Sequence, residues 1–155
     1  MTATETPKAE ARAVVPCAFC SKLNRIDLTK LANGPRCADC HRPILLDRPI
    51  KVADASYDAV LQGTTVPVLV DFYADWCGPC HMMAPTLDDF AKQNAGQALV
   101  LKLDTDASPK IAGRYGIRGI PTVILFDKGT ERGRHVGVVD LEKLQALMNG
   151  AKAGT

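Results

Sequence analysis

The sequence predicts an α/β protein with a mixed central sheet flanked by helices, preceded by a small cysteine-bearing module. Apolar runs with the periods of strands and of helices alternate through the middle of the chain, and a strand hairpin and a final helix follow. Six cysteines fall into three Cys-x-x-Cys pairs, two of them ahead of the alternating region. The composition, 46% hydrophobic and 23% charged over 155 residues, is that of a globular protein with one core and a small appendage.

The N-terminal region carries the spacing of a metal site. Residues 1–15 show no apolar period and are predicted to form a flexible tail. Cys17-Ala-Phe-Cys20 and Cys37-Ala-Asp-Cys40 follow, sixteen residues apart, as is typical of zinc sites. Four thiolates can close a tetrahedral zinc site with no open position, and the few apolar residues nearby leave metal binding to supply folding free energy. We therefore expect a zinc-ribbon-like module over 16–46 that binds one structural Zn²⁺ through these four cysteines.

Other arrangements of the cysteines stay open on spacing alone. The four thiols could be free or joined in disulfides, and His41, directly after Cys40, could replace one ligand. Pairing Cys37 and Cys40 with the third pair, thirty-six residues on, is disfavoured because it would consume the cysteines of a redox motif.

The elements of the α/β region, residues 47–150, follow from apolar periods and from capping and turn residues. Strands are predicted at 50–52, 66–73, 99–103, 120–126 and 132–138, the last two joined around Asp127-Lys-Gly129. Helices are predicted at 57–62 capped by Ser56, at 77–94 with a kink at Pro85, at 109–114, and after the capping residue Asp140.

The third cysteine pair, Cys77 and Cys80, lies where the strand 66–73 gives way to a helix. One helical turn brings two such cysteines within the span of a disulfide. The free N–H groups and the positive dipole end of a helix stabilise a thiolate there. Cys77 is nearer the helix start and is expected to be the more exposed, so we assign it as the nucleophile of thiol–disulfide exchange, with Cys80 closing the disulfide. A structural disulfide or half of a metal site is the alternative.

Asp71 is out of place in the apolar run Val68-Leu-Val-Asp-Phe72. Burial would raise the pKa of its carboxyl group toward neutrality, which suits a base that takes the proton of Cys80. The alternative is an exposed carboxylate at a strand end.

The segment Trp76-Cys-Gly-Pro-Cys80 resembles the active-site signature of the thioredoxin family. Asp71, Pro85 and the segment Gly116-Ile-Arg-Gly-Ile-Pro-Thr122 match the family too, and the resemblance covers about residues 50–149. It implies a thioredoxin fold and a protein-disulfide reductase in which Lys102 neighbours Asp71. It also implies a cis peptide bond before Pro121 and a substrate-docking surface. That surface would comprise Trp76, Gly78, Pro79, Ile120 and Pro121.

The cysteine-bearing module in front is similar to that of bacterial thioredoxins with an N-terminal zinc-binding extension. This implies a cytoplasmic protein that reduces disulfide-containing proteins and is recycled by an NADPH-dependent, flavin-containing thioredoxin reductase, with no organic cofactor bound to this chain. No stretch approaches the ~18 apolar residues of a membrane span, and residues 1–10 lack the pattern of a secretory signal, so no membrane partner is expected.

Other functions compete for the N-terminal module. Residues 1–50 carry eight Lys/Arg and five Asp/Glu, and a Zn²⁺ bound by four thiolates would leave a net charge of about +1. That balance, with Phe19 as the one aromatic residue there, disfavours nucleic-acid binding. A redox sensor that loses zinc when its cysteines are oxidised is a second hypothesis. A holdase or scaffold in which cysteine chemistry is incidental is a third.

Overall fold

The computed structural model describes residues 11–153, which begin with an antiparallel hairpin. Its strands are β1 (Arg12–Pro16) and β2 (Leu23–Asp27), paired from Arg12 opposite Asp27 to Pro16 opposite Leu23. A 3₁₀ segment, Leu28–Asn33, comes next and is capped by the carboxylate of Asp27. The two cysteine pairs lie just after β1 and just after this segment.

The prediction of a flexible tail over 1–15 is wrong from Arg12 onward. Ala13 and Val15 point inward from β1 and are fully buried. Two inward side chains make too short an apolar period to be recognised in a sequence. The remainder of the predicted tail, residues 1–10, lies outside the described residues.

Five strands form the main sheet in the order β3-β5-β4-β6-β7. They are β3 (Ile50–Val52), β4 (Val68–Tyr73), β5 (Leu99–Asp104), β6 (Thr122–Asp127) and β7 (Thr130–Val136). The central strand β4 runs parallel to β5 and antiparallel to β6, and β3 runs parallel to β5. The mixed sheet predicted from the sequence is therefore confirmed, and its central strand leads directly into the third cysteine pair.

Four helices complete the fold: α1 (Asp54–Gly63), α2 (Gly78–Gln93), α3 (Pro109–Arg114) and α4 (Leu141–Ala153). The predicted start of α1 at residue 57 is wrong, because Ser56 lies inside the first turn. Its hydroxyl oxygen accepts the backbone N–H of Ala53, the N-cap residue, at 3.2 Å. Ser56 therefore stabilises the start of the helix from its third position and does not precede the helix. Asp140 caps α4 as predicted, accepting the N–H of Lys143 at 2.9 Å. None of the helices in residues 11–153 combines the length and the apolarity needed to cross a membrane.

The side chains of β4 divide between two apolar clusters, one on each face of the sheet. Val70 and Phe72 pack with Tyr57 of α1 and with β1, whereas Leu69 packs with α2 and α4. Because helices cover both faces, all six residues of β4 are buried.

The hairpin is joined to the α/β domain by hydrogen bonds and by a shared core. The backbone N–H groups of Arg12 and Val14 donate to the hydroxyls of Thr65 and Thr64 at 2.9 and 3.1 Å, and the N–H of Thr65 donates back to the carbonyl of Arg12. Ala13 and Val15 belong to the same buried cluster as β3 and α1. The N-terminal module and the α/β domain therefore share one hydrophobic core.

Candidate redox site and metal cluster

Cys77 occupies the N-cap position of α2, at the end of the loop that follows β4. Its backbone has an extended conformation, and its Sγ accepts the backbone N–H of Cys80 at 3.2 Å. Pro79 lies within the first turn, where a missing N–H costs nothing. The sulfur therefore lies at the positive end of a sixteen-residue helix, the position that stabilises a thiolate.

Cys77 and Cys80 are joined as a disulfide, with their Cα atoms 5.3 Å apart. The expectation that Cys77 is the more exposed of the two is wrong, since the exposed fractions are 3% for Cys77 and 6% for Cys80. The neighbouring wall explains this burial, because Tyr73, Ala74 and Ile120 pack around both sulfurs. The two cysteines differ instead in hydrogen bonding, because among residues 11–153 a backbone N–H donates to the sulfur of Cys77 and none donates to that of Cys80.

The loop before β6 forms the opposite wall of the disulfide. The peptide bond between Ile120 and Pro121 is cis, as the family resemblance implies. The carbonyl oxygen of Ile120 lies 3.9 Å from Cys77 Sγ, and Pro121 is buried behind it. Gly78 and Pro79 are exposed on the facing side. Four of the five predicted docking residues therefore surround the disulfide.

Trp76, the fifth predicted docking residue, lies on the surface beside the disulfide with 72% of its side chain exposed. This tryptophan is therefore not part of the hydrophobic core. Its indole N–H donates to the Asp106 carboxylate at 2.7 Å, which holds the ring at the rim. Sequence reasoning missed Asp106, which stands in the loop after β5 with no pattern to single it out.

Asp71 lies in the middle of β4 and is 1% exposed. Its Oδ1 has no hydrogen-bond partner among the described residues. Burial raises the pKa of this carboxyl group to about 7, although the charge of Lys102 pulls the pKa down. The exposed-carboxylate alternative is therefore wrong, and the group can exchange a proton near neutral pH.

Lys102 stands directly opposite Asp71 in the register of β5 and β4. Its Nζ lies over the ring of Tyr73, 4.5 Å from the centroid. The structure thus brings Lys102 beside the carboxylate and also beside the aromatic wall of the disulfide.

The four N-terminal cysteines form a cluster whose Sγ atoms all lie within 4.8 Å of one another. Cys17 Sγ is 3.6 Å from Cys40 Sγ, and Cys20 Sγ is 3.5 Å from Cys37 Sγ. A tetrahedral Zn–S₄ site with bonds of about 2.3 Å has sulfur–sulfur edges of about 3.8 Å. The donor set and its spacing therefore fit zinc.

The two cysteine pairs of the cluster fold as two copies of one turn. In each, the first cysteine donates its N–H across the turn, from Cys17 to Lys22 O at 2.8 Å and from Cys37 to Arg42 O at 2.9 Å. In each, its Sγ accepts the N–H two residues on at 3.4 Å. The repeat places two matching cysteine turns face to face, an arrangement that could hold a metal ion between them.

Asn24 connects the two turns and was missed in the sequence. Its side chain is buried, donates to Lys22 O at 2.9 Å, and accepts the N–H of Ala38 at 2.9 Å. The backbone N–H of Cys40 is the main cause that lowers the pKa of the Cys37 thiol, to about 6. His41 lies outside the group of potential ligands found in residues 11–153.

Comparison with known proteins agrees with this geometry. The sequence profile of the Thioredoxin family matches residues 48–150. Thioredoxin C-3 of Corynebacterium nephridii is 38% identical over 136 residues, 88% of this chain and 93% of that protein. This match leaves 19 of the 155 residues unmatched, so it must begin at residue 20 or earlier and it includes most of the cysteine-bearing module.

Two further relatives match a shorter part of the chain. The thioredoxin of Rickettsia felis is 40% identical over 98 residues, covering 63% of this chain and 93% of its own. The solved structure of a mutant thioredoxin from Halobacterium salinarum NRC-1 superposes with a TM-score of 0.62 at 38% identity, over 68% of this chain and 92% of the other. With its redox-active cysteine pair at the start of α2 and beside a cis proline, the chain belongs to the thioredoxin family and is a thiol–disulfide oxidoreductase.

Proposed function

We propose that the chain is a general protein-disulfide reductase in which Cys77 attacks and Cys80 resolves. The observation that carries the assignment is the N–H of Cys80, which donates to Cys77 Sγ at the start of α2 and stabilises its thiolate. The thiolate attacks one sulfur of a substrate disulfide, forms a mixed disulfide and releases the other sulfur as a thiolate, which takes a proton. The Cys80 thiolate then attacks Cys77 Sγ, which frees the substrate's second thiol and leaves the Cys77–Cys80 disulfide.

Asp71 is proposed as the proton acceptor for Cys80, with Lys102 as its positioning partner. A carboxyl group with a pKa of about 7 is ionised in part at neutral pH, so it can take the proton that Cys80 must lose. Lys102, one strand away in direct register, keeps that pKa from rising further. The exposed Trp76 and the Ile120–Pro121 bond flank the sulfur that the substrate must reach, which supports their role in docking.

The N-terminal module is proposed to hold one structural Zn²⁺ through Cys17, Cys20, Cys37 and Cys40. When bound, the ion would supply a fourfold cross-link and no open position for chemistry. The module would run from Arg12 to about residue 46, and the redox domain from 47 to 150. Shared burial of Val15 and Ile44 with the sheet core supports a stabilising role for the metal.

The reductant is proposed to be an NADPH-dependent thioredoxin reductase, which passes two electrons to the Cys77–Cys80 disulfide. Cytoplasm is the proposed location, because six cysteines arranged as Cys-x-x-Cys pairs are typical of metal and redox chemistry in a reducing compartment. No organic cofactor on this chain is needed for the exchange chemistry.

The test is reduction of insulin disulfides with NADPH and a thioredoxin reductase. Wild type should turn over, and Cys77→Ser should lose activity by at least about 10³-fold because the nucleophile is gone. Cys20→Ser, a matched change in the cluster, should retain most of the turnover of chains that stay folded. A folded wild type that leaves insulin intact even with dithiothreitol as reductant would refute the reductase. Turnover with dithiothreitol but not with the reductase would refute only the recycling step.

A redox-sensing role of the cluster is favoured by one observation. Cys20 is exposed and Cys40 partly so, which leaves two of the four sulfurs open to oxidants. Peroxide would convert two thiolates to a disulfide, with its two oxygens leaving as hydroxide that takes up protons to form water, and the metal would be released. Titration with peroxide should release zinc in step with loss of free thiols, and retention of zinc while Cys77 and Cys80 oxidise would contradict the idea.

A further inference from the structure

A groove lies between the N-terminal module and the α/β domain, and it leads toward the disulfide. Its cavity volume is about 640 Å³, within the range typical of ligand sites. We name it the inter-module groove; its lining includes Cys17, Ser21 and Leu23 from the module and Tyr73, Asp75 and Ser108 from the domain. Because both modules line it, a chain without the module would lack the groove.

The inner end of the groove reaches the rim of the redox site. Asp75 is two residues from Cys77, so their Cα atoms are at most about 7 Å apart. Tyr73 lines the groove and also packs against the disulfide. A polypeptide whose disulfide is attacked by Cys77 therefore has its flanking residues within reach of the inter-module groove.

The domain side of the groove offers a buried hydroxyl without a partner. Ser108 is fully buried, and its Oγ makes no hydrogen bond within the described residues. A ligand that reaches this hydroxyl and pairs with it gains a hydrogen bond that the free protein does not make. A hydroxyl can both donate and accept, which suits the amide or carbonyl group of an extended chain.

The charges and apolar surface of the groove specify the rest of the occupant. Asp75 has no ion-pair or hydrogen-bond partner for its carboxylate within residues 11–153. Asp104 adds a second carboxylate, against one lysine, Lys51. Leu23 is 38% exposed and lines the module side. The site thus favours a basic side chain near the disulfide and an apolar one further away.

We propose that the inter-module groove binds the extended chain flanking the disulfide of a protein substrate, with a Lys or Arg beside Asp75 and an apolar side chain against Leu23. The proposal rests on the proposed reductase function. It makes the N-terminal module a contributor to substrate selection, in addition to its structural role.

The test uses pre-reduced full-length protein, without any reductase, in single-turnover reactions. The probes are short peptides whose cysteine is disulfide-linked to a coloured aromatic thiol, with Lys or Glu two residues from that cysteine and a Leu beyond. The symmetric aromatic disulfide alone reports the intrinsic reactivity of Cys77. Leu23→Ser should slow the Lys peptide about fivefold and leave the small disulfide unchanged.

Leu45→Ser is the matched control, because Leu45 is 48% exposed on the same module but lines a different cavity. It should leave every probe unchanged. Asp75→Asn should remove the preference for the Lys peptide over the Glu peptide, expected to be about threefold in wild type. Equal effects of Leu23→Ser and Leu45→Ser, or an unchanged rate of the Leu23→Ser variant with the Lys peptide, would overturn the proposal. Wild type inert toward the small disulfide would instead refute the reductase function itself.

Discussion

The cysteine turns of the cluster and of the redox site share their first turn and differ in the backbone beyond it. In all three, the residue after the second cysteine donates its N–H to the carbonyl of the first: Ser21 to Cys17, His41 to Cys37 and His81 to Cys77, at 3.0, 3.0 and 3.3 Å. In all three, the first sulfur also accepts a backbone N–H. Cys-x-x-Cys thus fixes a local turn that both kinds of site can use.

The backbone just after the turn separates the two kinds of site. Ser21 and His41 have φ angles of 70° and 65°, in the left-handed region, and the chain turns back toward a second, facing pair. His81 continues into α2 instead, so a helix dipole lies behind Cys77. The motif therefore sets the distance between the two sulfurs. What distinguishes the cluster from the redox site is whether a second cysteine pair faces the turn or a helix follows it.

Replacing one of the four cluster cysteines should cause the largest loss of stability among the variants proposed. Cys37→Ser deletes a buried thiolate, and structural zinc contributes on the order of 10 kcal/mol to the fold that holds it. We expect loss of bound metal and rapid hydrogen exchange throughout β1 and β2. Metal content by atomic absorption and exchange by mass spectrometry would measure both.

Cys77→Ser is the control for that experiment, because it alters the same motif at the other kind of site. It should keep one zinc per chain and an unchanged exchange pattern in β1 and β2. If Cys37→Ser kept its metal and its protection while Cys77→Ser lost them, the division between the two kinds of site would be reversed.

The buried carboxyl group predicts a pH-dependent stability of intermediate size. The pKa of Asp71 is raised from 3.8 to about 7, so the folded state binds one more proton than the unfolded state between those values. The stability that the protonated carboxyl group contributes is fully present below pH 3.8, its pKa in the unfolded state, and is lost as the pH rises through 7. Asp71→Asn should therefore be more stable relative to wild type at pH 8 than at pH 4, by roughly 4 kcal/mol.

Urea unfolding at pH 4 and pH 8 would measure this difference. Asp89→Asn, an exposed change on α2, is the matched control and should shift stability equally at both pH values. In single-turnover reduction, Asp71→Asn should also slow release of the mixed disulfide at pH 7. A stability difference that is the same at both pH values would contradict the raised pKa.

The redox site could be predicted more fully than its surroundings, for a physical reason. Cys77, Cys80 and Asp71 are conspicuous because a polar or reactive group interrupts an apolar strand or begins a helix. The partners that complete the sites, Asn24 in β2 and Asp106 in the loop after β5, make their contacts through long-range folding, and no local sequence pattern reveals them. Burial of both redox cysteines was also unpredictable, since it depends on how the Ile120 loop packs against the end of β4.

Disturbing the contact between the N-terminal module and the α/β domain should cause the smallest change in stability among the variants proposed. A Cβ atom added at Gly63, the last residue of α1, would overlap Cγ2 of Val14 in β1. A Cβ added at Gly113 in α3 would meet nothing within 4 Å. Gly63→Ala should therefore cost about 1–3 kcal/mol through overpacking, whereas Gly113→Ala should gain about 0.5–1 kcal/mol through reduced backbone entropy.

Urea unfolding of the two glycine variants would measure this contact, and hydrogen exchange would locate it. The loss in Gly63→Ala should appear as faster exchange in β1, because Val14 must move and its N–H bond to Thr64 must lengthen. If instead both variants gained stability and β1 stayed protected, the module would be a loosely attached appendage. If only Gly63→Ala loses stability, a change in α1 destabilises β1, the strand that leads into the Cys17 turn. The cluster and the redox site then belong to one cooperative folding unit.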